Sequence, residues 1–164
     1  HMPMQSSLGA IGEDDYKLKV GMTSDEIEWR LNEALKEIPE AIGINNHQGS
    51  KATTDGKVMG VVASVLKQKN KIFLDSRTSS KTVGEKTMRT YGVPTARRHV
   101  FLDNDLDIDK ISQQLEKLVK VSKKNGIAIG IGHVKPNTLK VLKEEIPKLS
   151  DKGYEFKFLS QVVN

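Results

Sequence analysis

A chain of 164 residues with 37% apolar and 29% charged residues has ordinary globular composition and is long enough for one domain with a hydrophobic core. The absence of cysteine excludes disulfide bonds and thiolate metal ligands, so a transition metal would have to be bound by histidine and carboxylate, with asparagine or water completing the coordination. No apolar stretch approaches the length of a membrane-spanning helix.

The net charge of +5 permits two interpretations. A basic surface could attract an anionic polymer such as nucleic acid, teichoic acid or an acidic glycan. However, only three tyrosines and one tryptophan are available to stack on bases, and many lysines fall at helix-surface spacing, as in Lys110, Lys117, Lys120, Lys123 and Lys124. The sequence therefore favours a solvated basic face and predicts no nucleic-acid partner.

The chain opens with a segment that shows no clear periodicity and contains Gly9, Gly12 and the acidic residues 13–15. We expect residues 1–22 to form a loop at the rim of the domain. A helix should begin after Thr23, because Thr23 and Glu26 have capping-box spacing. Five apolar residues share one face of this helix, namely Ile27, Leu31, Ala34, Leu35 and Ile38.

Four apolar runs are each followed by polar, ligand-capable side chains. Residues 41–44 have the character of a strand covered on both faces, and Asn45, Asn46 and His47 follow them. The same pattern recurs where residues 71–74, 99–102 and 127–132 lead into Asp75, Asp103 and His133. If the strands are parallel, the four clusters meet at one end of a sheet or barrel, where α/β folds place active sites.

Helices are predicted between these strands, over residues 55–69, 80–91, 107–125 and from Pro136 to about Leu149, with Gly92 and Gly126 as C-terminal stops. A final strand is expected near residues 155–159. Strands and helices thus alternate about five times, which predicts a single α/β domain over residues 1–164 with parallel strands. Five units do not close an eight-fold barrel, so either the sheet is open or the first strands of a barrel lie outside this sequence.

The two histidines at strand ends are the leading candidates for chemistry. His47 and His133 each stand beside small residues, and imidazole can bind zinc or act as an acid or base, although a core-edge histidine bonded to backbone is the simpler alternative for each. Asp75 and Arg77 could orient an imidazole, hold a metal-bound water or clamp a substrate carbonyl, or form an ion pair that fixes the loop.

Two further motifs are weaker. Asp103, Asn104 and Asp105 resemble the start of a calcium loop, but the required glycine and glutamate are missing, and helix capping is the alternative. The pair Gly130 and Gly132 lacks the remaining residues of a phosphate loop. Small residues there are expected to let neighbouring side chains approach closely.

Taken together, residues 43–50, 73–78, 100–104 and 129–133 resemble the ordered motifs of the divergent polysaccharide deacetylase family, a branch of the NodB-homology carbohydrate esterases. The resemblance implies an irregular (β/α) barrel of parallel strands and a divalent metal, usually zinc. It implies hydrolysis of acetyl groups from an N-acetylated polysaccharide, outside the cytoplasmic membrane. The family's first strand, with its paired aspartates, has no match, so the chain resembles the C-terminal two-thirds of the catalytic domain.

The resemblance also bears on His1. Composition alone favours residues 1–2 as the remnant of an expression tag, but residues 1–4 are similar to the family's His-x-Pro-Met segment. On that ground His1 is expected to be native and to bind the metal together with His47. The acidic pair Asp14 and Asp15 comes after this segment, in the wrong order to replace the paired aspartates.

The remaining roles follow from the same resemblance. His133 is expected to protonate the leaving amine, Asp75 to hold or tune His133, and Arg77 to orient Asp75 or the substrate. Four more residues are expected to contact the substrate: Asn45, Asn46, Ser50 and Asp103.

Two rival functions remain open from the sequence. The first is a catalytically silent module that binds cell-envelope glycan at the same rim, without metal dependence or acetate release. The second is a sugar-phosphate or nucleotide enzyme on a doubly wound sheet, suggested by Gly130, Gly132 and the basic residues Lys51, Lys81 and Lys135. Stabilisation by phosphate that is insensitive to a chelator would favour the second rival.

Overall fold

The computed structural model describes residues 1–8 and 15–163, and the chain divides into two compact units, His1–Arg97 with Leu159–Asn164 and Arg98–Phe158. Parallel strands alternate with helices in both units, which confirms the predicted α/β class. The described strands form one four-stranded sheet and one two-stranded sheet, so the expected barrel is not closed in this part of the chain. The single-domain assignment stays a prediction.

The first unit is a four-stranded parallel sheet whose spatial order is the chain order. Helices connect each strand to the next. The elements are β1 Met2–Met4, α1 Ser24–Glu37, β2 Gly43–Gln48, α2 Gly56–Gln68, β3 Ile72–Asp75, α3 Gly84–Tyr91 and β4 Thr95–Arg97. The carboxyl ends of the parallel strands therefore lie at one edge, and the loops that leave them are neighbours.

The first strand corrects the expectation of a rim loop over residues 1–22. Met2 and Met4 of β1 are buried, and Leu18, which bridges to Met4, is completely buried. All three belong to the main core of the first unit, beside Ile27 and Leu31 of α1. A three-residue strand is too short to display alternation, so nothing in the sequence pattern marked it. Gly9, Gly12 and Asp14 lie outside the described residues.

Local capping chemistry accounts for the helix boundaries. The predicted capping box is formed: the Glu26 amide donates to Thr23 Oγ1 at 3.2 Å, and the Thr23 amide donates to Glu26 Oε2 at 2.7 Å. Helix α3 ends at Gly92, whose φ of +68° is the left-handed cap expected there. Within residues 1–8 and 15–163, no helix combines the length and apolarity needed to cross a membrane.

The second unit contains two short parallel strands that pair with each other, and two helices. Its elements are β5 Val100–Phe101, α4 Ile108–Asn125, β6 Gly130–Ile131 and α5 Pro136–Asp151. Its core centres on Ile111, Leu115 and Val141. On α5 the buried residues are Thr138 and Val141, whereas Leu139 is 50% exposed. The Thr138 hydroxyl donates to the buried Asp103 carboxylate.

Strand boundaries differ from the predicted ones. Strand β2 begins at Gly43 and runs through the polar residues to Gln48, and Ile42 before it is 56% exposed. Strand β6 keeps only two residues of the predicted run 127–132. Strand β4 was not predicted. The expected final strand near residues 155–159 is not formed, and a 3₁₀ turn, Leu159–Gln161, begins at its last residue. Apolar runs locate strands here, but backbone pairing with neighbours sets their ends.

Gly43 is expected to be intolerant of any side chain. A Cβ at this position would overlap the Ile72 carbonyl oxygen, a backbone atom of the neighbouring strand that cannot move aside. The variant Gly43→Ala should lower the free energy of unfolding by about 3 kcal/mol, measured by urea denaturation. Gly56→Ala is the matched control: its Cβ meets nothing within 4 Å and lies in the first turn of α2, so it should be neutral or stabilising. Equal stability of the two variants would contradict this packing.

Candidate active site

Strand β2 presents its polar residues on two faces. Side chains alternate along a strand, so Asn45 and His47 share one face while Asn46 lies on the other. Asn46 is 1% exposed, whereas Asn45 and His47 are partly exposed. The register pairs Pro3 of β1 with His47, and His1 precedes the paired residue Met2. The parallel pairing therefore brings His1 to the face that carries Asn45 and His47.

These residues form a continuous hydrogen-bonded chain. His47 Nδ1 lies 2.8 Å from His1 Nε2, His1 Nδ1 lies 3.0 Å from Asn45 Oδ1, and Asn45 Nδ2 donates to Ser76 Oγ at 3.0 Å. The imidazole centroids are 4.5 Å apart with their planes tilted by 58°. We call His1, Asn45, His47 and Ser76 the histidine cluster. The fold of the first unit brings together the two histidines that the family resemblance assigned to metal binding.

The bonding fixes one tautomer of His1. Asn45 Oδ1 can only accept a hydrogen bond, so His1 Nδ1 carries the proton and His1 Nε2 has the free lone pair. His47 Nδ1 faces that lone pair and donates to it in the neutral pair. Orientation of a ligating imidazole by a hydrogen bond to its other nitrogen is typical of metal-binding histidines.

The histidine cluster fits a divalent metal in part. The two imidazole nitrogens lie 2.8 Å apart, and imidazole is a preferred zinc ligand, although His47 Nδ1 would have to release its proton to bind a metal. Among residues 1–8 and 15–163, no third His, Asp or Glu joins them to form a group of metal-ligating size. These residues can therefore supply two ligands, and a further ligand would have to come from elsewhere.

Asp75 serves the turn after β3 and not an imidazole. Its Oδ1 accepts the Arg77 amide at 2.8 Å, and its Oδ2 accepts the Thr82 hydroxyl at 2.9 Å and the Glu85 amide at 3.2 Å. The carboxylate is 1% exposed and bonds to the first turn of α3. The bonds to both oxygens fix this turn, and the expected role of Asp75 in holding His133 of the second unit stays a prediction.

Asn46, an expected substrate contact, joins two turns through its side-chain amide. Its Oδ1 accepts the Ser76 amide at 2.8 Å, and its Nδ2 donates to the Gln48 carbonyl at 2.8 Å and to Thr78 Oγ1 at 3.2 Å. Ser50, another expected substrate contact, accepts the Ser7 amide at 2.9 Å and is partly exposed. The buried Asn46 therefore positions the turn that carries Arg77, and Ser50 remains within reach of a ligand.

The same turns hold two residues in the left-handed backbone region. Gln48 has a φ of +55° and Arg77 a φ of +48°, which L-residues other than glycine rarely adopt. Gln48 is the last residue of β2, Arg77 lies two residues after the end of β3, and the Thr78 hydroxyl donates to the Gln48 carbonyl at 2.6 Å. Strain of this kind persists only where surrounding bonds impose it, and it clusters at functional sites.

The second unit carries a histidine and carboxylate pair. The His133 amide donates to Asp103 Oδ2 at 2.6 Å, and His133 Nδ1 lies 3.0 Å from Asp103 Oδ1. The Asp103 side chain is fully buried, while the His133 side chain is 51% exposed. Asp103 is thus a carboxylate partner of His133 within the second unit. The expected contact of Asp103 with substrate stays a prediction; in this structure its carboxylate is buried against His133.

Thr138 and Phe101 complete the surroundings of His133, and the sequence analysis did not single out either. The Thr138 hydroxyl donates to Asp103 Oδ2 at 2.8 Å, and the Phe101 ring stacks on His133 with centroids 5.7 Å apart. The Arg98 guanidinium lies 4.7 Å from the Phe101 centroid. Thr138 lies on the apolar face of α5, one helical turn before Val141. A threonine at such a position was the only feature of the sequence that could have indicated its role. Gly132 packs against Thr138 and Asp103, which confirms close approach at these small residues.

Hydrogen bonding keeps Asp103 ionised despite its burial. Burial raises the pKa of the Asp103 carboxyl, but bonds from the His133 amide, the Thr138 hydroxyl and the His133 ring together outweigh it, so the pKa lies below its ordinary value. A carboxyl with a lowered folded-state pKa stabilises the fold above its unfolded pKa of about 3.9, and this stabilisation is lost as the pH falls through the folded pKa.

Replacement of Asp103 by asparagine should therefore destabilise the protein in a pH-dependent way. At pH 7 the variant loses a charged acceptor of three hydrogen bonds, and we expect it to be less stable by about 1–3 kcal/mol. Below about pH 4 the difference in stability should shrink, because wild-type Asp103 becomes protonated and then carries no charge either. Urea denaturation at pH 7, 5 and 3 measures this. A difference that does not vary with pH would show that the charge contributes nothing.

A family model described as divergent polysaccharide deacetylase matches residues 1–163. The chain is 38% identical over 151 residues to an uncharacterized protein of Haemophilus influenzae, covering 92% of this chain and 54% of that protein. It is 36% identical over 149 residues to the uncharacterized protein YibQ of Escherichia coli K12, and the alignment covers 91% of this chain and 46% of that protein.

The chain thus spans about half the length of the curated relatives it matches. A crystal structure of the uncharacterized protein ATU2773 from Agrobacterium tumefaciens aligns with a TM-score of 0.94 and 18% identity, covering 99% of this chain and 66% of that one. At that identity the likeness shows the fold alone. The family match over nearly every residue, together with the two relatives, shows that this chain belongs to the divergent polysaccharide deacetylase family.

Proposed function

We propose that the protein is a metal-dependent hydrolase that removes acetyl groups from the N-acetylated sugars of a polysaccharide. Family membership supports a carbohydrate substrate and hydrolytic chemistry. The observation that carries the proposal is the convergence of His1 Nε2 and His47 Nδ1 to 2.8 Å. The family resemblance assigned the metal to these two histidines, which are 46 positions apart in the sequence.

His1 and His47 would hold the metal, and zinc suits imidazole ligands in a chain without cysteine. Bound there, such an ion would supply polarisation of the acetyl carbonyl and activation of the attacking water. Asn45 would keep the His1 ring in its ligating orientation. By resemblance, a further ligand comes from the family's paired aspartates, which have no match in residues 1–164.

His133 would act as the general acid. As water adds to the acyl carbon and the C–N bond breaks, the sugar nitrogen needs a proton to leave as an amine while acetate is released. Asp103 accepts the Nδ1 proton of His133, so Nε2 is the nitrogen left to exchange a proton with substrate. Asp103 is thus a positioning residue for this acid, and Thr138 in turn positions Asp103.

A silent glycan-binding module is the second candidate. It is favoured by the finding that only two metal-ligating side chains converge within the described residues. Such a module would use the hydroxyl and amide groups of the first unit without any chemistry. Family resemblance alone supports our further proposal that the protein acts outside the cytoplasmic membrane, whichever candidate holds.

An experiment on the complete polypeptide separates the two candidates. The protein is incubated with an N-acetylated oligosaccharide, and acetate release, free amine formation and binding are measured with and without a chelator. Deacetylation predicts equal amounts of acetate and amine, both abolished by the chelator. Binding that survives the chelator, with no acetate formed, would replace the enzyme by the binding module.

A further inference from the structure

We infer that Phe101 is a positioning residue, which fixes the plane of the His133 imidazole and so the direction of its Nε2 during proton transfer to the leaving amine. The inference rests on the proposed function, because it concerns the general acid of that reaction. The residues that carry it all belong to the second unit, Arg98–Phe158.

The pairing of β5 with β6 brings Phe101 to the side of the unit that carries His133. Phe101 pairs with Ile131 in parallel, and Asp103 and His133 each follow two residues later along their segments. The Phe101 and His133 rings are stacked, with their centroids 5.7 Å apart and their planes inclined by 27°. The register that joins Asp103 to His133 therefore also places an aromatic face against the imidazole.

Core packing does not account for the position of the Phe101 ring. Val100 and Leu102 flank Phe101 in the sequence and are only 2% and 6% exposed, whereas Phe101 itself is partly exposed. Among the residues that the structure describes, Phe101 does not belong to the core cluster of the second unit. The ring contacts found for it within this part of the chain are those with His133 and Arg98.

The bond to Asp103 leaves the tilt of the His133 ring open. Its Nδ1 lies 3.0 Å from Asp103 Oδ1, but a hydrogen bond tolerates a range of angles, and 51% of the His133 side chain is exposed. An aromatic ring stacked on one face opposes tilting, since tilting would lose the contact or create a clash. The hydrogen bond and the stack together fix where Nε2 points.

Phe101 is held by a contact of its own. The Arg98 guanidinium carbon lies over the Phe101 ring, 4.7 Å from its centroid, which is within the range of a cation–π interaction. This contact restricts rotation of the ring that supports His133. Such support matters for a proton donor, because a misplacement of about 1 Å at a reacting group can lower the rate by about 100-fold.

Replacement of Phe101 by leucine tests the inference, because leucine remains apolar but has no ring face. We expect kcat for acetate release to fall roughly 10-fold with KM changed by less than about a factor of two, since the acid is misdirected while the substrate still binds. Phe101→Met, a second variant without a ring, should behave in the same way, and Phe101→Tyr should retain wild-type kcat. Phe156→Leu makes the same change at a half-exposed phenylalanine of the same unit and should have no effect.

A spectroscopic signature reports the stack without any substrate. The ring C–H signal of His133 in the proton magnetic resonance spectrum is identified by its loss in His133→Ala. The ring current of Phe101 shifts this signal in the wild type, because the two rings are stacked. The shift should disappear in Phe101→Leu and persist in Phe101→Tyr and Phe156→Leu. An identical His133 signal in wild type and Phe101→Leu would overturn the inference.

A double variant separates positioning from direct contact with substrate. If Phe101 acts through His133, Phe101→Leu should lower the residual rate of His133→Ala by less than about two-fold, because the group that it positions is already absent. A further loss of roughly 10-fold in this background would mean that Phe101 itself contacts the substrate, and it would overturn the inference.

The remaining outcomes separate the inference from the proposed function. Acetate release that is lost in His133→Ala but unchanged in Phe101→Leu would overturn the inference and leave the hydrolase intact. No acetate release by the wild type would overturn the hydrolase and, with it, the positioning role, even with the ring-current shift present.

Discussion

Replacement of His133 by alanine is expected to lower the turnover number for deacetylation by about 100-fold or more. The amine is a poor leaving group without a proton, and the family resemblance assigns the supply of that proton to His133, whose half-exposed side chain is held by Asp103. The expected loss is in turnover and not in substrate affinity, because the proton is transferred as the C–N bond breaks. Initial rates of acetate release over a range of substrate concentrations measure it.

Two controls accompany this variant. His133→Ala should retain zinc and lower the melting temperature by only a few degrees, since the bonds from the residue 133 amide and the Thr138 hydroxyl to Asp103 do not need the imidazole. His133→Gln should be as inactive as the alanine variant, because glutamine can donate a hydrogen bond but cannot release a proton at neutral pH. Turnover within a factor of two of wild type in either variant would remove His133 from the mechanism.

Replacement of His47 by alanine is expected to abolish tight zinc binding and, with it, acetate release. Loss of a residue that only orients a ligand lowers metal affinity by about 10–100-fold, and loss of a ligand itself should exceed that range. His1→Ala should have a comparable effect, since His1 Nε2 faces His47 Nδ1. Competition with a chromophoric chelator gives the affinities.

Asn45→Ala is expected to weaken zinc binding less than either histidine variant does. Asn45 bonds to the Nδ1 of His1 and would not touch the metal, so its loss should weaken zinc binding within the 10–100-fold range. The expected order of affinity is wild type, then Asn45→Ala, then His47→Ala. Equal zinc affinity in wild type and His47→Ala would place the metal elsewhere and separate His47 from the chemistry.

Features with a local cause were predictable from the sequence. The capping box at Thr23 and the glycine ends of α3 and α4 are formed, because each depends on a few consecutive residues. The placement of Asn45 and His47 near a strand end was also recoverable from an apolar run that changes to polar residues. Strand β2 nevertheless continues to Gln48, since pairing with β1 supplies backbone bonds that hydropathy does not reveal.

Pairings between distant segments were harder to predict. The sequence offered Asp75 and Asp103 as equivalent strand-end carboxylates, and only the fold shows that Asp103 meets His133, 30 positions away. Asp75 is used by its own turn instead. Similarly, the burial of Met2 and Met4 depends on parallel pairing with a strand more than 40 positions away, which no local pattern in three residues can indicate.

The most direct test of the proposed metal-dependent hydrolase is a zinc titration of the metal-free polypeptide in which bound zinc and acetate release are measured together. The account predicts that the rate rises in proportion to bound zinc up to one ion per chain and that His47→Ala shows neither binding nor release. Acetate release that is independent of zinc, or stoichiometric zinc binding without release from any N-acetylated glycan, would contradict it.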